Sequence, residues 1–157
     1  DLFTPLQLAN YIATLVGGGQ HYEAHLLKNV KSYDNSSVIY AYDKAPLNTV
    51  EMSGSTVQAV KEGMHNLTTG SLSYYFSNCV VSAGAKTGTA QLGKTGLYNG
   101  LFVSFAPYDD PEIAICTVVE KAPSGASTSS ITAAIMEYYF SEDATLERVE
   151  AENQLIS

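Results

Sequence analysis

Two apolar segments joined by a short polar connection constrain the fold of this chain more than any other feature. The segments run from Tyr98 to Ala106 and from Ile113 to Glu120, with only residues 107–112 between them. A parallel return between neighbouring strands needs a dozen residues or more, so these two strands are predicted to be antiparallel. A third segment, Val80 to Leu92, precedes them. Together the three predict an antiparallel sheet of at least three strands.

A helix is predicted near the start of the chain. Thr4 fits the cap position, Pro5 fits the first helical position, and Gln7 stands three residues after the cap, as in a capping box. The three glycines at 17–19 are expected to end this helix. Two short strands are predicted to follow, at His25 to Lys31 and at Val38 to Tyr42.

Two further helices are predicted from apolar residues at helical spacing. One starts near Ser55 or Thr56 and stops near Gly70. The other runs from Thr128 to Phe140, and its buried side is expected to comprise Ile131, Ile135, Met136 and Tyr139. The resulting order of helix, strand pair, helix, sheet and helix predicts an α+β fold with helices packed on the sheet. A sheet of three strands with such apolar centres normally has further strands beside it, so this sheet looks incomplete.

The composition narrows the possible partners. The chain has 157 residues, of which 45% are hydrophobic, and a formal net charge of −8. It is therefore expected to form one globular domain. Nucleic acids and anionic membranes both favour proteins rich in Lys and Arg, so no nucleic-acid partner is expected.

Neither the cysteines nor the histidines suggest a bound metal or another cofactor. Cys79 and Cys116 lie in apolar surroundings, where two free buried thiols are favoured over a disulfide bridge. Their spacing matches no zinc pattern. His21 and His25 lack a third ligand nearby in sequence, and a histidine pair of this kind is more often structural.

The residues best suited to chemistry are Lys86, Thr87, Gly88 and Thr89, here named the KTGT segment. Lys86 supplies a positive charge, and the two threonine hydroxyls can hold a carboxylate. Gly88 allows another backbone or a ligand to approach closely. Side chains alternate along a strand, so Lys86 and the threonines can serve one ligand only if it lies along the strand edge. An edge also offers free N–H groups to a peptide or an oxyanion.

The KTGT segment resembles one of the three signatures of the serine penicillin-recognising enzymes. A second copy of its first three residues, Lys94-Thr95-Gly96, lacks a following Thr or Ser and is interpreted as a hairpin loop. The surrounding sequence is similar to class B penicillin-binding proteins over residues 1 to about 140. The similar stretches are Thr4 to Asn10 with glycines 17–19, Gly100 to Pro107, and Pro111 to Ala114. Within that class, the elongation branch (type 2) is favoured.

This resemblance implies a partial transpeptidase-like fold. Residues 1–157 are expected to be the C-terminal fragment of one transpeptidase domain, with residues 141–157 forming an acidic tail. The implied activity is a D,D-transpeptidase that cross-links peptidoglycan stem peptides through a serine acyl-enzyme and binds β-lactam antibiotics. The resemblance also places the parent protein at the outer face of the bacterial cytoplasmic membrane, held there by an N-terminal anchor outside this chain.

The resemblance also implies roles for single residues. Lys86 would support the electrostatics around the nucleophile, and the hydroxyls of Thr87 and Thr89 would hold the substrate carboxylate. The backbone N–H of Thr89 would be one of two oxyanion donors. Gly88 would leave room for the ligand.

The nucleophile itself is missing from the sequence. No serine is followed by lysine at Ser-x-x-Lys spacing, and no Ser-x-Asn occurs; Ser82 and Lys86 are one residue too far apart. The nucleophile is therefore expected in the remaining N-terminal half of the same domain, and this chain alone is expected to be inactive. Two alternatives stay open, a β-lactam-binding sensor and a non-catalytic module of the same fold. Either way, the apolar edge strand favours a homodimer or docking of the missing half.

Overall fold

The computed structural model describes residues 2–93 and 96–141, and the elements that the sequence predicts occur in the expected order, together with further short ones. The helices are α1 (Pro5–Val16), α2 (Gly54–Thr69), α3 (Ser73–Phe76) and α4 (Ser129–Tyr139), with a 3-10 turn at Gly125–Thr128. The strands are β1 (Gln20–His21), β2 (Asn29–Lys31), β3 (Val38–Ala41), β4 (Asn48–Thr49), β5 (Gly84–Gln91), β6 (Tyr98–Ala106) and β7 (Ile113–Val119). The predicted α+β fold is confirmed.

Two sequence predictions fall outside the described residues. One concerns the second copy of Lys-Thr-Gly, of which Lys94 and Thr95 are not described. The other is the acidic tail predicted for residues 141–157, of which only Ser141 is described. In the described part of the chain, no helix combines the length and the apolar character needed to cross a bilayer.

The first helix begins and ends where the sequence predicts. The Gln7 backbone N–H donates to Thr4 Oγ1 at 3.2 Å, and the Thr4 N–H donates to Gln7 Oε1 at 2.8 Å. This reciprocal pair satisfies two donors that a helix leaves free at its start. At the other end, Gly18 and Gly19 have φ angles of 73° and 85°, a conformation that favours glycine.

The main sheet has three antiparallel strands in the order β5-β6-β7. In its centre, Phe102 of β6 is paired with Thr87 of β5 on one side and with Thr117 of β7 on the other. The predicted antiparallel sheet is therefore confirmed. Strand β5 begins at Gly84, four residues after the predicted start at Val80.

Helices cover the sheet on both faces. On the first face, which carries α1 and α2, Ile12 and Met64 pack against Phe105. On the second face, which carries α3 and α4, one cluster contains Ala85 and Phe102 together with Leu72. A second cluster on that face is formed by Ala83, Ala106 and Met136.

The predicted buried side of α4 is wrong in part. Met136 is buried as expected and Tyr139 is half-buried, but Ile131 and Ile135 are 46% and 44% exposed. Their place against the sheet is taken by small and polar residues, namely Ser129, Thr132 and Ala133. The hydroxyls of Thr132 and Thr117 lie 2.7 Å apart, so a side-chain hydrogen bond fixes the rotation of the helix. The pattern of hydrophobic residues in the sequence cannot predict a buried side of α4 that depends on this hydrogen bond.

The small strands differ in detail from the prediction. The predicted pair of short strands exists as the β2–β3 hairpin but is shorter, because the residues from His25 to Lys28 lie outside the strand. The pair β1–β4 was not predicted. It joins Gln20 to Thr49 and His21 to Asn48, and two-residue strands leave no alternating pattern in a sequence.

The buried hydroxyl of Ser104 has no partner among the described residues, and its removal is expected to stabilise the protein. The side chain is 0% exposed, and its Oγ forms no hydrogen bond with any described residue. A buried, unsatisfied hydroxyl costs about 1–3 kcal/mol. We therefore expect Ser104→Ala to raise the free energy of unfolding by about 1 kcal/mol in a urea titration.

The matched control for Ser104 is a hydroxyl on the same face that does have a partner. Thr132→Val removes the hydrogen bond to Thr117 and is expected to lower the free energy of unfolding by about 1 kcal/mol. If the two substitutions destabilise the protein equally, the hydroxyl of Ser104 is satisfied and the prediction is wrong.

Candidate active site

The KTGT segment lies on β5, and the hydrogen-bond pattern of the sheet shows which peptide groups are available there. The backbone N–H of Leu92 donates to the carbonyl of Leu97 at 2.8 Å, which makes these two residues a hydrogen-bonded pair. Such pairs alternate along an antiparallel ladder. The even-numbered residues of β5 therefore bond to β6. The peptide groups of Thr87 and Thr89 point the other way, towards the open edge of the sheet, where no strand of the described residues pairs with β5.

Helix α2 covers the first part of that edge. The hydroxyl of Thr68 donates to the carbonyl of Ala83 at 2.7 Å, and His65 Nδ1 lies 2.9 Å from the same oxygen. Both contacts fit the alternation, because Ala83 is odd-numbered and its carbonyl points outwards. Helix α2 meets β5 at this end of the strand, and the KTGT segment lies further along the same edge.

Lys86 and the two threonines lie on opposite faces of the sheet, as side-chain alternation predicts. Lys86 is paired with Val103 on the face of α1 and α2, whereas Thr87 is paired with Phe102 on the other face. The Lys86 ammonium is exposed, and Nζ donates to the carbonyl of Thr87 at 2.8 Å. The charge therefore lies at the open edge, where a ligand lying along the strand could reach it.

Thr89 has a partner that the sequence did not predict. Its Oγ1 accepts a hydrogen bond of 3.1 Å from the backbone N–H of Gly125, in the 3-10 turn before α4. Thr89 is itself exposed and is paired with the buried Gly100 on β6. The local sequence around Gly125 gives no signal for this contact, because the two residues are 36 positions apart.

Glycines allow the 3-10 turn to lie directly on the strands. A Cβ atom on Gly125 would lie 2.2 Å from the carbonyl oxygen of Gly88 and 2.5 Å from that of Leu101. A Cβ on Gly100 would lie 2.6 Å from the carbonyl oxygen of Ser124. These distances are too short for any side chain, so backbone packs on backbone beneath the KTGT segment.

Beside these groups, the described residues show no activated serine or cysteine. Within the described residues, no serine hydroxyl is hydrogen-bonded to a lysine. The thiols are also unsuitable: burial raises the pKa of Cys79, with a further contribution from Glu137, and burial raises the pKa of Cys116. Both cysteines are free. A thiol with a raised pKa is a poor nucleophile near neutral pH.

A cavity of about 500 Å³ lies elsewhere, beside α1. None of its lining residues belongs to β5. Its walls are mainly apolar, with Phe3, Leu8, Tyr11 and Val50 among them. It brings no charged catalytic group together with a nucleophile, so the open edge of β5 is the better candidate for chemistry.

Comparisons with known proteins agree with the fold. Residues 1–137 match the family described as the penicillin binding protein transpeptidase domain. Penicillin-binding protein 2A of Bacillus subtilis is 35% identical over 133 residues, which is 76% of this chain and 19% of that protein. The peptidoglycan D,D-transpeptidase MrdA of Haemophilus influenzae is 29% identical over 160 residues, covering 88% of this chain and 24% of that protein.

A solved structure is also similar. The crystal structure of Pseudomonas aeruginosa PBP2 in complex with WCK 5153 aligns with a TM-score of 0.71 and 25% identity, covering 89% of this chain and 31% of that one. The chain thus spans about a fifth to a quarter of the length of the curated relatives described above. Their names confirm the predicted class and its type 2 branch. The chain belongs to the penicillin-binding protein transpeptidase domain family.

Proposed function

We propose that this chain is the C-terminal part of a peptidoglycan D,D-transpeptidase domain and that the KTGT segment forms one wall of its active site. The observation that carries the proposal is the open edge of β5, where the Thr89 N–H points away from the sheet beside an exposed lysine. The name of the Haemophilus influenzae relative, a peptidoglycan D,D-transpeptidase, supports the same reaction.

In the proposed mechanism, each functional group at the open edge of β5 has one role. A serine from the rest of the domain attacks the carbonyl carbon of the last peptide bond of a stem peptide. That C–N bond breaks, and the serine proton passes to the amine of the departing D-amino acid as the acyl-enzyme forms. The oxyanion that develops accepts a hydrogen bond from the Thr89 N–H. The hydroxyls of Thr87 and Thr89 hold the terminal carboxylate of the peptide. A β-lactam carries a carboxylate and an acyl carbon and would occupy the same place.

Lys86 acts through its positive charge and does not form a hydrogen bond with the substrate in the proposed mechanism. Its ammonium group lies at the edge and is exposed, with the Thr87 carbonyl 2.8 Å away. When the nucleophile-bearing part of the domain packs against this edge, the positive charge stabilises the deprotonated serine and the negative transition state. Removal of solvent from the edge would strengthen that effect.

The open edge of β5 provides only half of the proposed active site. One oxyanion donor contributes about 10²–10³ in rate, and it needs a nucleophile on which to act. We therefore propose that the rest of the domain supplies the serine, its lysine and the second oxyanion donor. We also propose that an anchor in the same parent protein holds the enzyme at the outer face of the cytoplasmic membrane, where stem peptides are found.

The chain alone is expected not to react with penicillin. Incubation of residues 1–157 with a fluorescent penicillin, followed by a denaturing gel, should leave this chain unlabelled, because no serine in the sequence is followed by lysine at Ser-x-x-Lys spacing. The complete protein is the control and should be labelled. A labelled band from the chain alone would contradict the proposal.

The sensor and the non-catalytic module are separated from the enzyme by two observations. An enzyme carries Ser-x-x-Lys and then Ser-x-Asn upstream of Asp1, and it forms cross-linked dimers from stem peptides. A sensor would be labelled by penicillin but would give no cross-linked product. A non-catalytic module would give neither result.

A further inference from the structure

We infer that Gly125 is a positioning residue that orients the hydroxyl of Thr89 towards the carboxylate of the ligand. The inference rests on the proposed function of the KTGT segment and extends it to a residue outside that segment. It is carried by one hydrogen bond, by the space around Gly125 and by the contacts that hold the 3-10 turn.

The direction of the hydrogen bond determines what Thr89 can do. The Gly125 N–H can only donate, so Thr89 Oγ1 acts as the acceptor of this 3.1 Å bond. A threonine hydroxyl has one proton to donate and two lone pairs. Because the Gly125 bond occupies a lone pair, the proton remains available, and in the described part of the chain no protein carbonyl accepts it. A hydroxyl that is held as an acceptor on one side presents a donor on the other, which is what a carboxylate requires.

The close approach of Gly125 requires a residue without a side chain. A Cβ on Gly125 would meet backbone atoms of Gly88 and Leu101 at distances from 2.2 to 2.8 Å. Backbone atoms of a central ladder cannot move aside as a flexible side chain can. An alanine at this position would therefore push the turn away from β5 and lengthen the bond to Thr89.

Two further contacts keep the turn in place. The hydroxyl of Thr128, which is buried, donates to the carbonyl of Gly125 at 2.7 Å. On the next strand, Gly100 leaves room for the carbonyl of Ser124. The hydrogen bond from Thr128 thus fixes the peptide group after Gly125, and the close fit at Gly100 fixes the peptide group before it, which carries the N–H directed towards Thr89.

The inference predicts that Gly125→Ala lowers the acylation rate only for penicillins that carry a free carboxylate. In the complete protein, Gly125→Ala is expected to lower the acylation rate by benzylpenicillin about ten- to a hundredfold, because a hydrogen bond to a charged group is weakened. The methyl ester of the same penicillin has no carboxylate, and its slow reaction is expected to change by less than about twofold. A purely structural disturbance would reduce both rates equally.

A double-mutant cycle separates positioning from packing. If Gly125 acts through the Thr89 hydroxyl, Gly125→Ala should cost less than about twofold once Thr89→Val has removed that hydroxyl. The matched control is Gly63→Ala in α2, where a Cβ would meet nothing within 4 Å. The control should react like the unmodified protein with both penicillins.

A milder variant tests the inference in case Gly125→Ala does not fold. A second measurement tests it even if the proposed function is wrong. Thr128→Val removes the bond to the Gly125 carbonyl without adding volume and should reproduce part of the selective loss. Independently of any reaction, Thr89→Val should accelerate hydrogen exchange at the Gly125 amide, because that N–H loses its acceptor.

The outcomes distinguish the two proposals. An unmodified complete protein that penicillin does not label would overturn the proposed function, while hydrogen exchange at Gly125 would still decide whether the contact with Thr89 exists. Equal losses for penicillin and its ester, full additivity in the cycle, or unchanged exchange in Thr89→Val would each overturn the positioning role.

Discussion

Replacing Lys86 by alanine in the complete protein is expected to lower the acylation rate by penicillin by about 10²- to 10³-fold. The reason is the position of the charge. The ammonium group of Lys86 is exposed at the open edge of β5, next to the outward-pointing peptide group of Thr87. A charge placed in advance beside the reacting group stabilises the developing anion without reorganisation of solvent.

The chain contains its own control for this experiment. Lys94 begins the second copy of Lys-Thr-Gly, and no threonine or serine follows that copy. Replacing Lys94 by alanine changes the net charge by the same amount as replacing Lys86. Lys94→Ala is expected to leave the acylation rate within about twofold of the unmodified protein, because the proposed oxyanion site contains Lys86 and not Lys94. Rates should be measured by stopped-flow with a fluorescent penicillin. Equal losses in the two variants would show that Lys86 has no special role.

The short connection between strands and the alternation of side chains were enough to predict the antiparallel sheet and the two faces on which the KTGT side chains lie. The six-residue connection between β6 and β7 allows only antiparallel pairing, and alternation along β5 places Lys86 and Thr87 on opposite faces. The capping box of α1 was predictable for the same reason, because all its contacts lie within three residues. These features depend on neighbours in the sequence and on covalent geometry.

Features that depend on distant contacts were missed. Gly125 reaches Thr89 across 36 positions, and nothing in its immediate sequence indicates that contact. Helix α4 buries Thr132 in place of Ile131 because a hydroxyl on β7 is its partner. A pattern of hydrophobic residues assigns the apolar side of a helix to the core, and it cannot detect a buried hydrogen bond between two threonines.

The outer edge of β7 is expected to bind another strand when this chain is isolated. Because odd-numbered residues of β6 bond to β5, the alternation makes the peptide groups of Ala114, Cys116 and Val118 point away from the sheet. In the described part of the chain, β7 has a strand partner on one side only. The strand is apolar except for Thr117 and has no charged side chain to deter pairing. We expect a dimer, a swapped element or docking of the rest of the proposed transpeptidase domain at this edge.

A proline scan of β7 tests this expectation, because proline removes one N–H at a chosen place. At Val118 the lost N–H points outwards, so Val118→Pro should keep the sheet intact and convert the dimer into a monomer. At Thr117 the lost N–H bonds to β6, so Thr117→Pro should unfold the protein.

Analytical ultracentrifugation gives the oligomeric state and circular dichroism gives the fold of each variant. The contrast between adjacent positions separates edge pairing from general destabilisation, which would affect both variants alike. Docking at this edge contributes about 25 cal/mol for each Å² of apolar surface removed from water, which favours any partner over an open strand. The expectation fails if the unmodified chain is a folded monomer at high concentration with no companion, or if Val118→Pro leaves its dimer unchanged.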